Sequence, residues 1–413
     1  MQIVKAAWID ARHPMINRRL WGLTILERNV RELCRLGFTQ VTISSPKDLN
    51  PLGNFCHPLP ESMEISVSYE ESKPFETLIG QLGMKEPVLI LEGHAFNDPR
   101  VLKELMAAKA DCAVVSPCGS NPAGAAILSA QNTSLFQNTR KNLTSVLTEG
   151  IQGTRIAKLD LSNFRRYIMP LRREIPPFLL RIENEPQLEE ADDLLRKTVH
   201  KGVNDFVAKY IHPKLEFGVV KLIAHTPISP NAITILWLVL DGFVVALFGT
   251  GHLLLGCSLA VISGILDGVD GKLARLTLRF SKIGDRLDHV GNAVFDAFWY
   301  LALGWYFSAG DFHSTAAIST AILVTAYTVE RIVPSIFLKL NNAEIWDYED
   351  IDIFVRLVCS RMNNNLWVLT SGVILGFPRE TFYGISIWML VTAAWHTLRL
   401  FHVSLKRKSA LAS

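Results

Sequence analysis

The six cysteines of this chain, Cys34, Cys56, Cys112, Cys118, Cys257 and Cys359, form no CxxC pair and join no histidine at zinc-ligand spacing. That excludes a thiolate metal centre and a disulfide framework, and leaves buried, reduced thiols in a reducing compartment. Excess charge is equally scarce. The net charge is +3 and no basic run has aromatics interleaved, so nucleic acid is not expected as a partner. The N-terminal MQIVKAAWIDARH has no basic region followed by an apolar run and a cleavage site, so no signal peptide is expected. Long uncharged runs are missing from roughly the first 220 residues and crowd the chain after residue 230. A soluble module joined to a membrane module follows from that asymmetry.

Residues 1–160 alternate β-rich and helical runs. IVKAAWI reads as a strand, TILERNVRELCRLG as a helix closed by Gly37, and QVTISS as a second strand. PVLILEG, DCAVVSP and AGAAILSA are further strands around the helix DPRVLKELMAAK, the pattern of a Rossmann-like α/β domain. Residues 161–225 read as a connector with a basic cluster, Arg165, Arg166, Arg172 and Arg173, followed by paired prolines. Its run from Ala191 to about Ile223 has helical amphipathic spacing, for helices lying on the membrane surface or packed on the soluble domain.

Residues 226–408 hold six apolar segments, at 232–249, 252–268, 287–308, 314–338, 351–375 and 380–403. Each is near the ~20 residues that cross a hydrocarbon layer, so an all-α six-helix transmembrane bundle is expected. Lys272, Arg275, Arg279, Lys282 and Arg286 fill one loop and Lys406, Arg407 and Lys408 the tail, whereas the opposite loops hold only Arg379. The positive-inside bias then puts both termini and the 269–286 loop on the cytoplasmic side.

The most informative stretch is DGVDGKLARLTLRFSKIGDRLDHVGNAVFD, from Asp267 to Asp296. Asp267 and Asp270 are three apart, Asp288 and Asn292 four apart, so each pair shares one helix face. Gly271, Ala274 and Gly284 leave room for close approach, and Arg275 is available to pair with phosphate. Two helix ends presenting carboxylates make a plausible site for a hard divalent cation.

These residues resemble the signature of the CDP-alcohol phosphotransferase family, Asp-x2-Asp-Gly-x2-Ala-Arg-x8-Gly-x3-Asp-x3-Asp. Seven of its eight fixed positions match, and Asn292 stands where the family has its fourth aspartate. A second local match is Thr226, Pro230, Asn231 and Thr234, which fit the T-x-x-x-P-N-x-x-T element that precedes the family's first span. The resemblance implies an active site on the cytoplasmic side of the membrane, where Asp267, Asp270 and Asp288 ligate Mg2+ or Mn2+. It implies a nucleotide pocket at Gly271, Ala274, Arg275 and Gly284, with Lys282 beside them. The reaction implied is attack of an alcohol or lipid acceptor on a CDP-alcohol donor with loss of CMP, in a bilayer-embedded homodimer. Because the Asn292 amide cannot accept a proton, Asp296 and His289 are the expected substitutes for the missing base.

Asp241, Glu330, Arg331, Arg356 and Arg361 are expected inside the bundle, Arg356 and Arg361 to hold an anionic acceptor. The stretch EDIDIFVRL resembles a segment of inositol-phosphate-transferring members, with Glu349 where they carry arginine. The front module resembles a sugar nucleotidyltransferase, and the layout resembles bifunctional cytidylyltransferase/phosphotransferases. Its first loop, DARHPMINRR, contains no glycine, and Asp98 arrives a few residues late for a metal ligand. A degenerate domain kept for structure, regulation or docking is therefore expected. Two other readings are an active cytidylyltransferase and a catalytically impaired membrane protein that binds a CDP-linked ligand or recruits partners.

Overall fold

The computed structural model describes residues 4–59, 62–69, 75–84, 86–108, 110–115 and 122–412. Cys118 lies outside them, as do the side chains of Arg407 and Lys408. The five described cysteines are all free thiols.

The soluble part is built on a seven-stranded sheet: β1 (Ala6–Asp10), β2 (Gln40–Ser44), β3 (Glu64–Ser68), β4 (Val88–Glu92), β5 (Cys112–Val115), β6 (Pro122–Leu128) and β7 (Ala157–Asp160). The spatial order is β7-β5-β6-β4-β1-β2-β3. β1 lies between parallel partners β2 and β4, and β6 runs antiparallel to both β4 and β5. Alternation along β1 sends Trp8 to one core and Ile9 to the other, which is why a strand covered on both faces reads as an unbroken apolar run. Helices α1 (Ile25–Arg35), α2 (Glu76–Leu82), α3 (Pro99–Ala107) and α4 (Leu143–Gln152) cover the sheet. α1 begins where the Thr24 hydroxyl accepts the Glu27 N–H and stops before Gly37, whose φ of +92° suits glycine.

The connector packs between the modules. Its strand Leu179–Arg181 pairs antiparallel with Ala95–Asn97 of the soluble domain. Helices α5 (Glu185–Val199) and α6 (His212–Ile223) follow, then α7 (Pro230–Gly249) and α8 (Leu253–Thr277). One apolar cluster runs through all of them, joining Leu20, Ile25 and Phe96 to Leu195, Val220, Ile233, Leu273 and Leu276. α6 buries His212, Glu216 and Val220 and exposes Leu215 and Leu222.

Helices α9 (Lys282–Ser308), α10 (Thr315–Asn341), α11 (Asp350–Val358), α12 (Met362–Ile374) and α13 (Pro378–Ala412) complete the bundle. By length and composition α7, α8 and α10 are able to cross a membrane, three among the described residues rather than six. The segment expected as one span at 351–375 is two short helices. Cys359 and Arg361 are extended, with ψ of 160° and 155°, and side chains replace the interrupted helical ladder. Asn364 donates to the Leu357 and Cys359 carbonyls at 3.2 and 3.0 Å, and the Ser360 N–H donates to the Thr392 hydroxyl at 3.0 Å. The break swings Arg356 and Arg361 onto the wall of an internal cavity.

Asn364→Ala should therefore lower the thermal unfolding midpoint in detergent, by the equivalent of about 1–3 kcal/mol for buried carbonyls left unpaired. An unchanged midpoint would mean the break does not depend on this side chain.

Candidate active site

The last turns of α8 and the first turns of α9 bring Asp267, Asp270 and Asp288 together, with one carboxylate oxygen from each lying within 4.8 Å of the others. Three ionised groups at that separation repel by roughly 3–4 kcal/mol per pair at an effective dielectric constant of ~20. The protein meets part of this with donors. Thr234 Oγ1 and Trp237 Nε1, three apart on α7, both donate to Asp270 Oδ2, at 2.6 and 2.9 Å. Asn292 Nδ2 donates to Asp267 Oδ1 at 2.9 Å and to Asp288 Oδ1 at 2.8 Å. Charge-assisted hydrogen bonds contribute about 1.5–3 kcal/mol each and leave the net negative charge in place, so a cation is still called for. One oxygen of each carboxylate is engaged in this way and the second remains available. Oxygen donors without nitrogen or sulfur suit a hard divalent metal.

The acids face a cavity of about 380 Å³. Gly271, Arg275, His289, Asn292 and Asp296 line it, as do Asp241, Arg331, Arg356, Arg361 and, from the connector, Lys201. Acidic and guanidinium side chains thus share the wall of one cavity, with Arg275 beside Gly271 on the same helix as Asp267 and Asp270. Asp296 accepts from the Tyr327 hydroxyl at 3.1 Å, and His289 sits exposed at the rim with Nδ1 3.7 Å from Asp288 Oδ2. The Arg356 guanidinium lies 4.3 Å from the Trp346 ring centroid, buried, with Nε and Nη1 unpartnered.

Ala274, Gly284 and Lys282, expected at the nucleotide, are absent from this lining. Lys282 is exposed. A Cβ at Gly284 would stand 2.2 Å from Asn231 Oδ1, so this glycine admits the asparagine of the second motif, whose Nδ2 donates to Ser281, the N-cap of α9. Glu330 finds its partner in His396 at 2.8 Å, and Glu349 pairs with Arg399 at 2.7 Å, away from the cavity. Lys272 turns from the site acids to Glu216 on α6, which crosses Gly268 to reach it. Sequence reading missed Trp237 and Lys201. The spacing of Trp237 from Thr234 placed it on the same helix face, whereas nothing local marked Lys201.

At the corresponding sheet edge of the soluble domain, side chains pair with one another. Arg12 donates to Asp10, Arg181 Nε lies 2.6 Å from Glu92, and His13 stacks on His94 with centroids 4.3 Å apart. Burial pushes the His94 imidazole down to about 3 and raises the Glu92 carboxyl. Asp98 caps α3 and is held by Arg100, and Arg18 pairs with Glu185 of α5.

Residues 227–347 match the family model described as CDP-alcohol phosphatidyltransferase, so the helical half contains a domain of that transferase family. Two curated relatives are each named bifunctional IPC transferase and DIPP synthase. The one from Thermococcus kodakarensis is 30% identical over 159 residues, covering 36% of this chain and 35% of its own length. That from Aquifex aeolicus is 30% identical over 240 residues, covering 56% and 52%. The chain thus spans about a third to a half of the curated relatives it matches. Among solved structures, the inositol-1-phosphate CTP transferase from T. maritima aligns with 48% of this chain and 97% of its own, at 14% identity and a TM-score of 0.34.

Asn292→Asp removes both amide donors and adds a fourth carboxylate. In EDTA its unfolding midpoint should fall, by the equivalent of about 1–3 kcal/mol, and Mn2+ should restore more of it than it adds to the native protein. Equal responses of the two proteins to Mn2+ would count against a cation at these acids.

Proposed function

We propose that the chain is an integral-membrane phosphotransferase that moves a phospho-alcohol from a CDP-alcohol to an acceptor hydroxyl and releases CMP. The observation that carries this reading is the convergence of Asp267, Asp270 and Asp288 on the wall of a cavity that Arg275, Arg331, Arg356 and Arg361 also line. The acids would hold Mg2+ or Mn2+, which when bound offsets the diphosphate charge. Thr234 and Trp237 fix the Asp270 carboxylate, and Asn292 holds Asp267 and Asp288 in register. Arg275 pairs with donor phosphate beside Gly271, and Arg331, Arg356 and Arg361 attract an anionic group on the acceptor. The acceptor oxygen bonds to the β-phosphorus as the bond to the CMP oxygen breaks, and the hydroxyl proton leaves to a carboxylate. Asp296, one turn below Asn292, is the nearer candidate for that role, since His289 stands at the rim. The basic residues around the turn between α8 and α9, Lys272, Arg275, Arg279, Lys282 and Arg286, support a cytoplasmic site, and a homodimer is the assembly expected.

Purified protein in detergent with Mn2+ should release CMP from at least one of a panel of CDP-alcohols supplied with membrane lipid. Asp270→Asn should abolish release. Trp237→Phe, which removes one donor from Asp270, should lower the rate or the Mn2+ affinity about 10-fold. Release unaffected by Asp270→Asn would overturn the assignment. Asn292 favours a second reading, a protein that binds a CDP-linked ligand without turnover, for which nucleotide binding without CMP release is the signature. The bifunctional relatives favour a further activity of the soluble domain, for which CTP-dependent pyrophosphate release by the full chain is the test.

A further inference from the structure

α8 is held from two sides. At about 100° per residue, Val269, Leu273 and Leu276 are centred about a third of a turn from Asp267 and Asp270. These three side chains enter the same apolar cluster as Leu20, Ile25 and Phe96 of the soluble domain. The soluble domain thus grips the flank of the turns that carry the acids.

One polar contact closes that grip. Arg28 on α1, 5% exposed, donates Nη2 to the Leu276 carbonyl at 2.6 Å and to the Leu20 carbonyl at 3.0 Å. The last carbonyls of a helix lack intrahelical partners and carry partial negative charge, so a guanidinium there supplies both a donor and a favourable charge. Burial lowers the Arg28 guanidinium to about 10, which leaves it charged at neutral pH. Its base is rigid, because Asn29 donates to the Gly93 and Ala95 carbonyls at 3.1 and 2.9 Å. Two turns along α1, the Arg35 guanidinium lies 4.5 Å from the ring centroid of Phe280, just past the end of α8. Gly22 is pressed onto the end of α6, where a Cβ would stand 2.2 Å from the Ala224 carbonyl oxygen. Leu20 and Gly22 belong to the segment after β1, where a glycine-rich phosphate loop is missing.

We propose that the soluble domain is the positioning element of the membrane site, with Arg28 as a positioning residue that holds the last two turns of α8 and through them Asp270 and Arg275. The catalytic consequence rests on the phosphotransferase reading; the mechanical one does not. Without Arg28 the Leu276 carbonyl loses its donor, the helix end opens more often, and the carboxylates meet a cation in a less ordered array.

The test uses the full chain in detergent, with Arg28→Met, which keeps length and loses charge and donors, and Arg28→Lys, which keeps the charge. Hydrogen exchange reports on the Leu278 and Arg279 amides, both bonded to the Ala274 carbonyl. Arg28→Met should speed their exchange about ten-fold, as for one lost hydrogen bond, with amides of β1 and β4 unchanged. The Mn2+ concentration for half-saturation should rise about three- to ten-fold, and Arg28→Lys should fall between the two. Native exchange at these amides, or an equal loss throughout the sheet, overturns the proposal. Should Arg28→Met fail to accumulate, Arg35→Ala should speed the same amides to a smaller extent, and no change there overturns it too. Absence of Mn2+ binding and CMP release in the native protein would sink the phosphotransferase reading, while the exchange result would still decide the positioning role.

Discussion

Mutual repulsion among three carboxylates is the constraint around which the helical half is arranged. Asp267, Asp270 and Asp288 crowd within 4.8 Å at the ends of two helices, and every nearby device reduces the cost. α7 contributes a hydroxyl and an indole N–H to Asp270, and the Asn292 amide bridges the other two acids. These donors orient the groups without cancelling their charge. Lys272, the nearest lysine in sequence, is kept away by Glu216.

The Asn292 amide gives the site a different character from one with four acids. A fourth carboxylate would add repulsion and a potential proton acceptor, whereas an amide adds two hydrogen bonds and order. In the proposed reaction the proton would pass to a group elsewhere in the cavity, and Asp296 with its Tyr327 partner lies one turn along the same helix. Further cationic side chains on the cavity wall come from different elements again: Arg331 from α10, Arg356 from α11, Arg361 from the break after it, and Lys201 from the connector. A continuous helix at 359–361 would have presented Arg356 and Arg361 at helical spacing instead of converging them.

The soluble domain tells a related story. After β1 the chain carries Leu20 and Ile25, which join the apolar cluster with α6 and α8, and polar side chains at the sheet edge pair with one another, as Glu92 does with Arg181. The domain's interface with the bundle forms a continuous apolar core, so the two modules behave mechanically as neighbours in one body around α8.

Periodicity and spacing in the sequence determined the α/β order of the front half, the helical character of the back half, and the faces on which Asp267, Asp270 and Asp288 lie. These features are local, set by the 3.6- and 2-residue repeats of helix and strand. Only the tertiary structure decided that Asn292 bridges two acids, that Trp237 and Lys201 line the same cavity, and that Gly284 lies against Asn231. It also decided that the fifth apolar segment breaks, and that Arg28 reaches a carbonyl 248 residues away. Such contacts depend on how helices meet, and no repeat along the chain encodes the meeting of side chains so far apart.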